Sequence, residues 1–176
     1  MPISTVDRVS RLKEDEAMNL TKDVFNKIEN KLGSVPNLFR TLGHKPDTLR
    51  ATWELMESVM KDDLLPRKLK KLVALRVSIL NQADYCIDKH YQSLQQIGYS
   101  TDVLERVKVG EYEYLTEIEA RVLRFIDKCL DQNYQLQEPD FTELHFTEEE
   151  LLELVTVIQL FAGLNSFTRI LNIELD

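Results

Sequence analysis

LPRKLKKLVALRVSILNQADYCIDKHYQSLQQIG, residues 65–98, is the stretch whose reading decides the fold. After Pro66, apolar positions recur at helical spacing through Leu69, Leu72, Val73, Leu75 and Ile79, with Arg76 on the same track, as far as Asn81. Proline suits the first helical position, where its missing N–H would be an unpaired donor in any case. Asp84 can cap a second helix that carries Cys86, His90, Leu94 and Ile97 and stops at Gly98. Cys86 and His90 therefore share one helix face, and residues so spaced have Cβ atoms about 5–6 Å apart. An imidazole at that range can take a thiol proton, the minimal unit of thiol nucleophilic chemistry.

Outward from this pair the chain reads as helix after helix, with five glycines and five prolines falling where helices should end. Leu20 to Leu32 carries Val24, Phe25, Ile28 and Leu32 at helical spacing and stops at Gly33. Pro36 starts a short helix through Phe39 and Leu42. Pro46 or Asp47 starts another, with Leu49, Trp53, Leu55, Met56 and Met60 inward. Thr101 to Val107 is short. Thr116 with Glu119 and Thr147 with Glu150 make capping boxes, the second preceding the most apolar segment, Leu151 to Leu171. That segment's thin polar face suits a central helix or a subunit interface. No period-two strand pattern exceeds four residues. The expected fold is all-α, a compact helical bundle, as a single domain over residues 1–176 with its core motif at about 65–98.

Composition narrows the function. A net charge of −8 excludes the basic stripe that nucleic acid requires, and the one dense basic run, Arg67, Lys68, Lys70 and Lys71, reads as a solvated helix face. Two cysteines, Cys86 and Cys129, form no disulfide framework and fit a reducing cytoplasm. The amino terminus lacks the basic start and apolar stretch of a secretory signal, and no segment has the ~18 uninterrupted apolar residues of a membrane span. We expect a soluble, cytoplasmic protein without nucleic-acid or membrane partners.

Other constellations read as structural. His44 and His145 have no ligand-spaced partner, and no Cys/His cluster or glycine-rich phosphate loop is present, so no metal and no cofactor is expected. Cys129 reads as a small packed hydrophobe. Phe39, Trp53, Tyr91, Phe161 and Phe167 are spaced as core. Arg76 and Arg169, charged groups on apolar helices, call for pairing with a carboxylate such as Glu54 or Glu174, or with carbonyl groups.

The block from Leu65 to Gly98 resembles the alkyl hydroperoxidase D-like and carboxymuconolactone decarboxylase superfamily, through Arg76-Val77-Ser78, Leu80-Asn81 and Tyr85-Cys86 with His90. The resemblance extends to GSVPNLFR at 33–40 and to NSFTRILNIELD at 165–176, so that it covers the chain from about Lys27 onward. It implies the family's helical fold, homo-oligomeric assembly, and a Cys-x-x-Cys-x-x-x-His site relayed by a glutamate on the preceding helix. Two positions depart from that pattern: Ala83 stands where the first cysteine would be, and Lys71 where the glutamate would be.

The resemblance thus implies catalytic residues Cys86, His90 and Lys71. Cys86 keeps the nucleophile's position and His90 the base's, while Lys71 near Cys86 would favour thiolate. The leading expectation is a thiol-dependent peroxidase-like oxidoreductase, an antioxidant acting on small hydroperoxides through one cysteine, with an external thiol as reductant. The alternatives are a cofactor-free decarboxylase-like acid–base enzyme acting on a small organic acid through Lys71 and His90, and a non-catalytic member of the fold.

Overall fold

Helix starts and stops follow local chemistry closely in the computed structural model, which describes residues 7–176. The opening of the amino-terminal stretch read for a leader, residues 1–6, lies outside these. Among the described residues there are nine α-helices and no strands. They are α1 (Asn19–Leu32), α2 (Asn37–Leu42), α3 (Pro46–Val59), α4 (Arg67–Leu80), α5 (Asp84–Gln96), α6 (Thr101–Val109), α7 (Glu117–Asp131), α8 (Glu138–Thr142) and α9 (Glu148–Leu171). Both capping boxes form: the Thr116 and Glu119 pair opens α7, and the Thr147 and Glu150 pair opens α9. Gly33 ends α1 in the left-handed conformation at φ 84°, which glycine adopts without steric cost. Asp84 is the first residue of α5, and Ala83 takes the cap position.

The helices group into two compact units, Met1–Ser58 with Phe167–Asp176, and Val59–Ser166. In the first, α1 buries Val24, Phe25 and Ile28, and Phe39 meets Trp53 edge to face with centroids 5.4 Å apart. Gly43 is required by close approach, since a Cβ there would lie 2.8 Å from Phe25 Cζ. Asn37, in the Pro-Asn-Leu-Phe segment, holds the chain's closing residues: its backbone N–H donates to Asp176 Oδ1 at 2.6 Å and its side-chain amide to the Glu174 and Leu175 carbonyls at 3.2 Å. Leu55, expected inward, is 49% exposed.

The second unit is built around α4, which packs against α5, α7 and α6. Leu72, Val73, Ala74, Leu75 and Val77 of α4 are wholly buried. A tight turn joins α4 to α5, with Gln82 at φ 53° and the Ala83 N–H donating to the Ser78 carbonyl at 3.0 Å. Ser78 in turn donates to Asn165 Oδ1 of α9 at 3.0 Å. Within α9, Leu154, Val157, Ile158 and Phe161 are buried, whereas Leu152 and Val155 are exposed. Among the described residues α9 alone is long and apolar enough to cross a membrane, with a mean hydropathy of 1.5 over the best window. Its buried Asn165 and the core it completes also fit a central helix of a globular unit.

Three charged groups correct the sequence reading. Lys70, taken with its neighbours as a solvated face, is completely buried: its ammonium pairs with Glu153 of α9 and donates to the Lys61 carbonyl at 2.7 Å. Arg76 is buried as expected, but its partner is Asp127 of α7, at 2.6 Å, with the Val107 and Lys108 carbonyls at 3.0 and 3.1 Å. Tyr112 donates to the other Asp127 oxygen at 2.6 Å, completing a satisfied buried network. Arg169 is exposed, and Glu174 pairs with Arg11 instead.

Candidate functional site

Since α4 and α5 form a packed antiparallel pair through a short turn, residues early in α4 face residues late in α5. That register brings Lys71 to the α5 face that carries Cys86 and His90. Its ammonium donates a short hydrogen bond to Ser93 Oγ, and its charge acts on the His90 ring. Ser93 follows His90 by three residues and Cys86 by seven, so all three lie along one stripe of α5. The sequence reading missed Ser93. Its spacing was visible, but its partner lies 22 residues upstream and depends on the hairpin register.

Cys86 is the third residue of α5, in the turn where the helix dipole is positive, and is 5% exposed. Neither it nor Cys129 is in a disulfide. His90 is half-buried and meets Phe161 of α9 edge to face, with centroids 4.6 Å apart. Phe161, spaced as core in the sequence, is thus also a wall of the site. Burial, and secondarily the Lys71 charge, pulls the His90 pKa from 6.5 down to about 3. The imidazole is therefore neutral at physiological pH, with an unprotonated ring nitrogen that can accept a hydrogen bond but holds a proton less tightly than an ordinary histidine. Lys71 is lowered below its ordinary range by burial and by the nearby Arg67 charge. Among the described residues no carboxylate pairs with it, so the site carries a positive charge beside a neutral imidazole, on the helix face that also bears the Cys86 thiol.

Cys129 behaves differently. Burial, with Asp140 adding to it, pushes its thiol up to about 11, and the side chain packs on α7. That is an inert thiol at neutral pH. Among the described residues, no group of three His, Cys, Asp or Glu side chains is placed to hold a metal ion.

The state of His90 gives a direct expectation. Its folded pKa lies below the unfolded value of about 6.5, so the unfolded chain binds an extra proton between the two values. His90 thus contributes a stability loss that grows as pH falls from about 6.5 towards 3. In an NMR pH titration its ring protons should show no midpoint above pH 5. Lys71→Met should move the midpoint upward without restoring 6.5, because burial remains. A wild-type midpoint near 6.5 would refute the description of a buried neutral base.

Residues 46–114 match the carboxymuconolactone decarboxylase family. No curated protein matches the chain by sequence. Among solved structures, the chain is similar to an uncharacterized peroxidase-related protein with an alkylhydroperoxidase AhpD core from Ralstonia eutropha JMP134. The TM-score is 0.86 at 23% identity, covering 97% of this chain and 93% of that one. It is similar too to a cysteine-to-alanine variant of the debrominase Bmp8 in complex with 2,3,4-tribromopyrrole, with a TM-score of 0.82 at 23% identity over 96% of this chain and 91% of that one. A putative antioxidant defence protein AhpD from Agrobacterium tumefaciens follows, with a TM-score of 0.70 at 22% identity over 77% of this chain and 94% of that one. These likenesses establish the fold.

Proposed function

We propose that the chain belongs to the alkyl hydroperoxidase D-like and carboxymuconolactone decarboxylase superfamily, a reading supported by the match of residues 46–114 and by the fold. On that premise it is a one-cysteine, thiol-dependent oxidoreductase that reduces small hydroperoxides, with Cys86 as nucleophile, His90 as base and Lys71 as the cation that favours thiolate. The observation that carries the reading is the neutral His90 one turn beyond a reduced Cys86, beside the Lys71 ammonium, which no carboxylate among the described residues neutralises.

The cycle balances without a second protein cysteine. His90 accepts the Cys86 proton, and the thiolate attacks the terminal peroxide oxygen. The O–O bond breaks, sulfur becomes sulfenic acid, and the departing alkoxide takes the proton from His90 to leave as alcohol. One external thiol condenses with the sulfenic acid, releasing water and forming a mixed disulfide. A second external thiol releases Cys86 as thiol and departs in an external disulfide. The test is consumption of an alkyl hydroperoxide with a small thiol present, followed to several turnovers per chain. Consumption no faster than with the thiol alone would refute the reading.

The acid–base alternative draws on the same geometry. Lys71 would seat a carboxylate and His90 would move a proton, with Cys86 dispensable. The debrominase Bmp8, whose cysteine-to-alanine variant is solved in complex with 2,3,4-tribromopyrrole, suggests that halogenated rings belong among the substrates tried. A reducing cytoplasm is the compartment we propose, since it would supply the external thiol. We further propose a homo-oligomer, for which the exposed Leu152 and Val155 on α9 provide apolar surface. Light scattering should report a mass that is a multiple of 20.6 kDa at micromolar concentration. A monomer would overturn that expectation.

A further inference from the structure

A cavity of about 510 Å³ opens between α7 and the segment of α8 that follows it, and it shares no residue with the Cys86 site. One face of α7 supplies Arg121, Arg124 and Lys128 at successive helical turns. Lys128 is fully engaged, donating to Asp140 at 2.8 Å and to Glu143 at 3.1 Å. The two arginines are not. Among the described residues, Arg121 has only Glu117 as an ion-pair partner, its exposed carboxylate 3.6 Å away, and its buried Nε–H has no acceptor. Arg124 lines the cavity with no carboxylate of the described residues in ion-pair range, although the chain as a whole carries a charge of −8. The apolar residues that line the same cavity are Phe125 and Leu144, both largely buried.

Two guanidinium groups, a buried donor without an acceptor and an apolar floor describe an incomplete polar site. A buried donor left unmatched is unfavourable, and an anion supplies what is missing. Guanidinium groups match a planar carboxylate through paired hydrogen bonds. The volume lies within the range of small-molecule pockets. We infer that this cavity binds a small organic carboxylate, its anionic end held by Arg121 and Arg124 and its apolar body laid on Phe125 and Leu144. Bare phosphate would satisfy the arginines but leave the floor uncovered.

Benzoate is a suitable probe, titrated into the isotope-labelled full chain and followed by amide NMR, with benzamide and inorganic phosphate alongside. The expected result is saturable movement of amides in 121–128 and 142–145 with benzoate. An Arg121→Gln/Arg124→Gln variant should bind about tenfold to a hundredfold more weakly. Benzamide should bind more weakly by a similar factor, and phosphate should leave the Phe125 and Leu144 amides in place. The dispersion of the spectrum reports whether the double variant is folded. Arg124→Gln alone removes an exposed side chain, so it gives the same test at no risk to the core. Benzoate binding that is unaltered in either variant, movement confined to other segments, or equal movement with phosphate would each overturn the inference.

Discussion

A Cys86→Ser variant should consume alkyl hydroperoxide no faster than the thiol reductant alone, a loss on the order of 10³-fold or more. Serine is close to cysteine in size but buries a hydroxyl at a position only 5% exposed, so circular dichroism should accompany the assay to show that the variant is folded. Its hydroxyl, however, cannot ionise at neutral pH or accept a peroxide oxygen as sulfur does. His90→Ala should cost about 10²-fold by removing the proton acceptor. Lys71→Met should slow the reaction less and raise the pH at which it reaches its plateau, because the thiolate loses a favourable charge. Cys129→Ser should leave the rate unchanged, since that thiol is held near 11 by burial. A Cys86→Ser enzyme that still turns over a small organic acid would shift the account to acid–base chemistry by Lys71 and His90.

The second large effect is on stability. Glu153→Ala should destabilise the fold by about 3–5 kcal/mol, because it strands the Lys70 ammonium at a position with no solvent exposure. The same carboxylate also accepts the Leu65 backbone N–H at 3.0 Å, so the turn before α4 loses a partner as well. For a chain of this length the midpoint of thermal unfolding should fall on the order of 10 °C. A Lys70→Met/Glu153→Leu double variant should recover most of the loss, since an apolar pair of similar volume removes the desolvation problem from both sides. Calorimetry showing less than about 1 kcal/mol for Glu153→Ala would mean that Lys70 finds water or another acceptor.

These two residues also mark where the sequence was legible. Helix positions followed from apolar spacing and from local caps, which involve residues three or four apart, so α4, α5, α7 and α9 were readable within a few residues. The five-residue α8 was not, because it spans too little chain for a period to emerge. Lys70 was misread for a different reason. A lysine among leucines has the same local pattern whether its stem is buried with its ammonium paired or its head reaches water. Only Glu153, more than eighty residues later, decides which. Arg76 was read correctly as buried and paired, yet its partner Asp127 is set by the packing of α7 on α4, which no local pattern specifies.

The candidate site divides along the same line. Cys86 and His90 were visible because they sit on one helix. Lys71 could be named only through the resemblance, and it now lies beside His90 with a hydrogen bond to Ser93. Phe161 joined the site because α9 packs its ring against the imidazole at 4.6 Å. Each of these additions depends on tertiary register, and the Lys71 charge adds to burial in keeping His90 neutral.

The most direct test of the central claim is site-resolved mass spectrometry of the cysteines after brief exposure to an alkyl hydroperoxide and a sulfenic-acid trap, across neutral pH. The account predicts rapid labelling of Cys86, slowed in His90→Ala, with Cys129 unlabelled under the same conditions. Labelling of Cys86 no faster than that of Cys129, or no faster than that of the same cysteine in the unfolded chain, would contradict it.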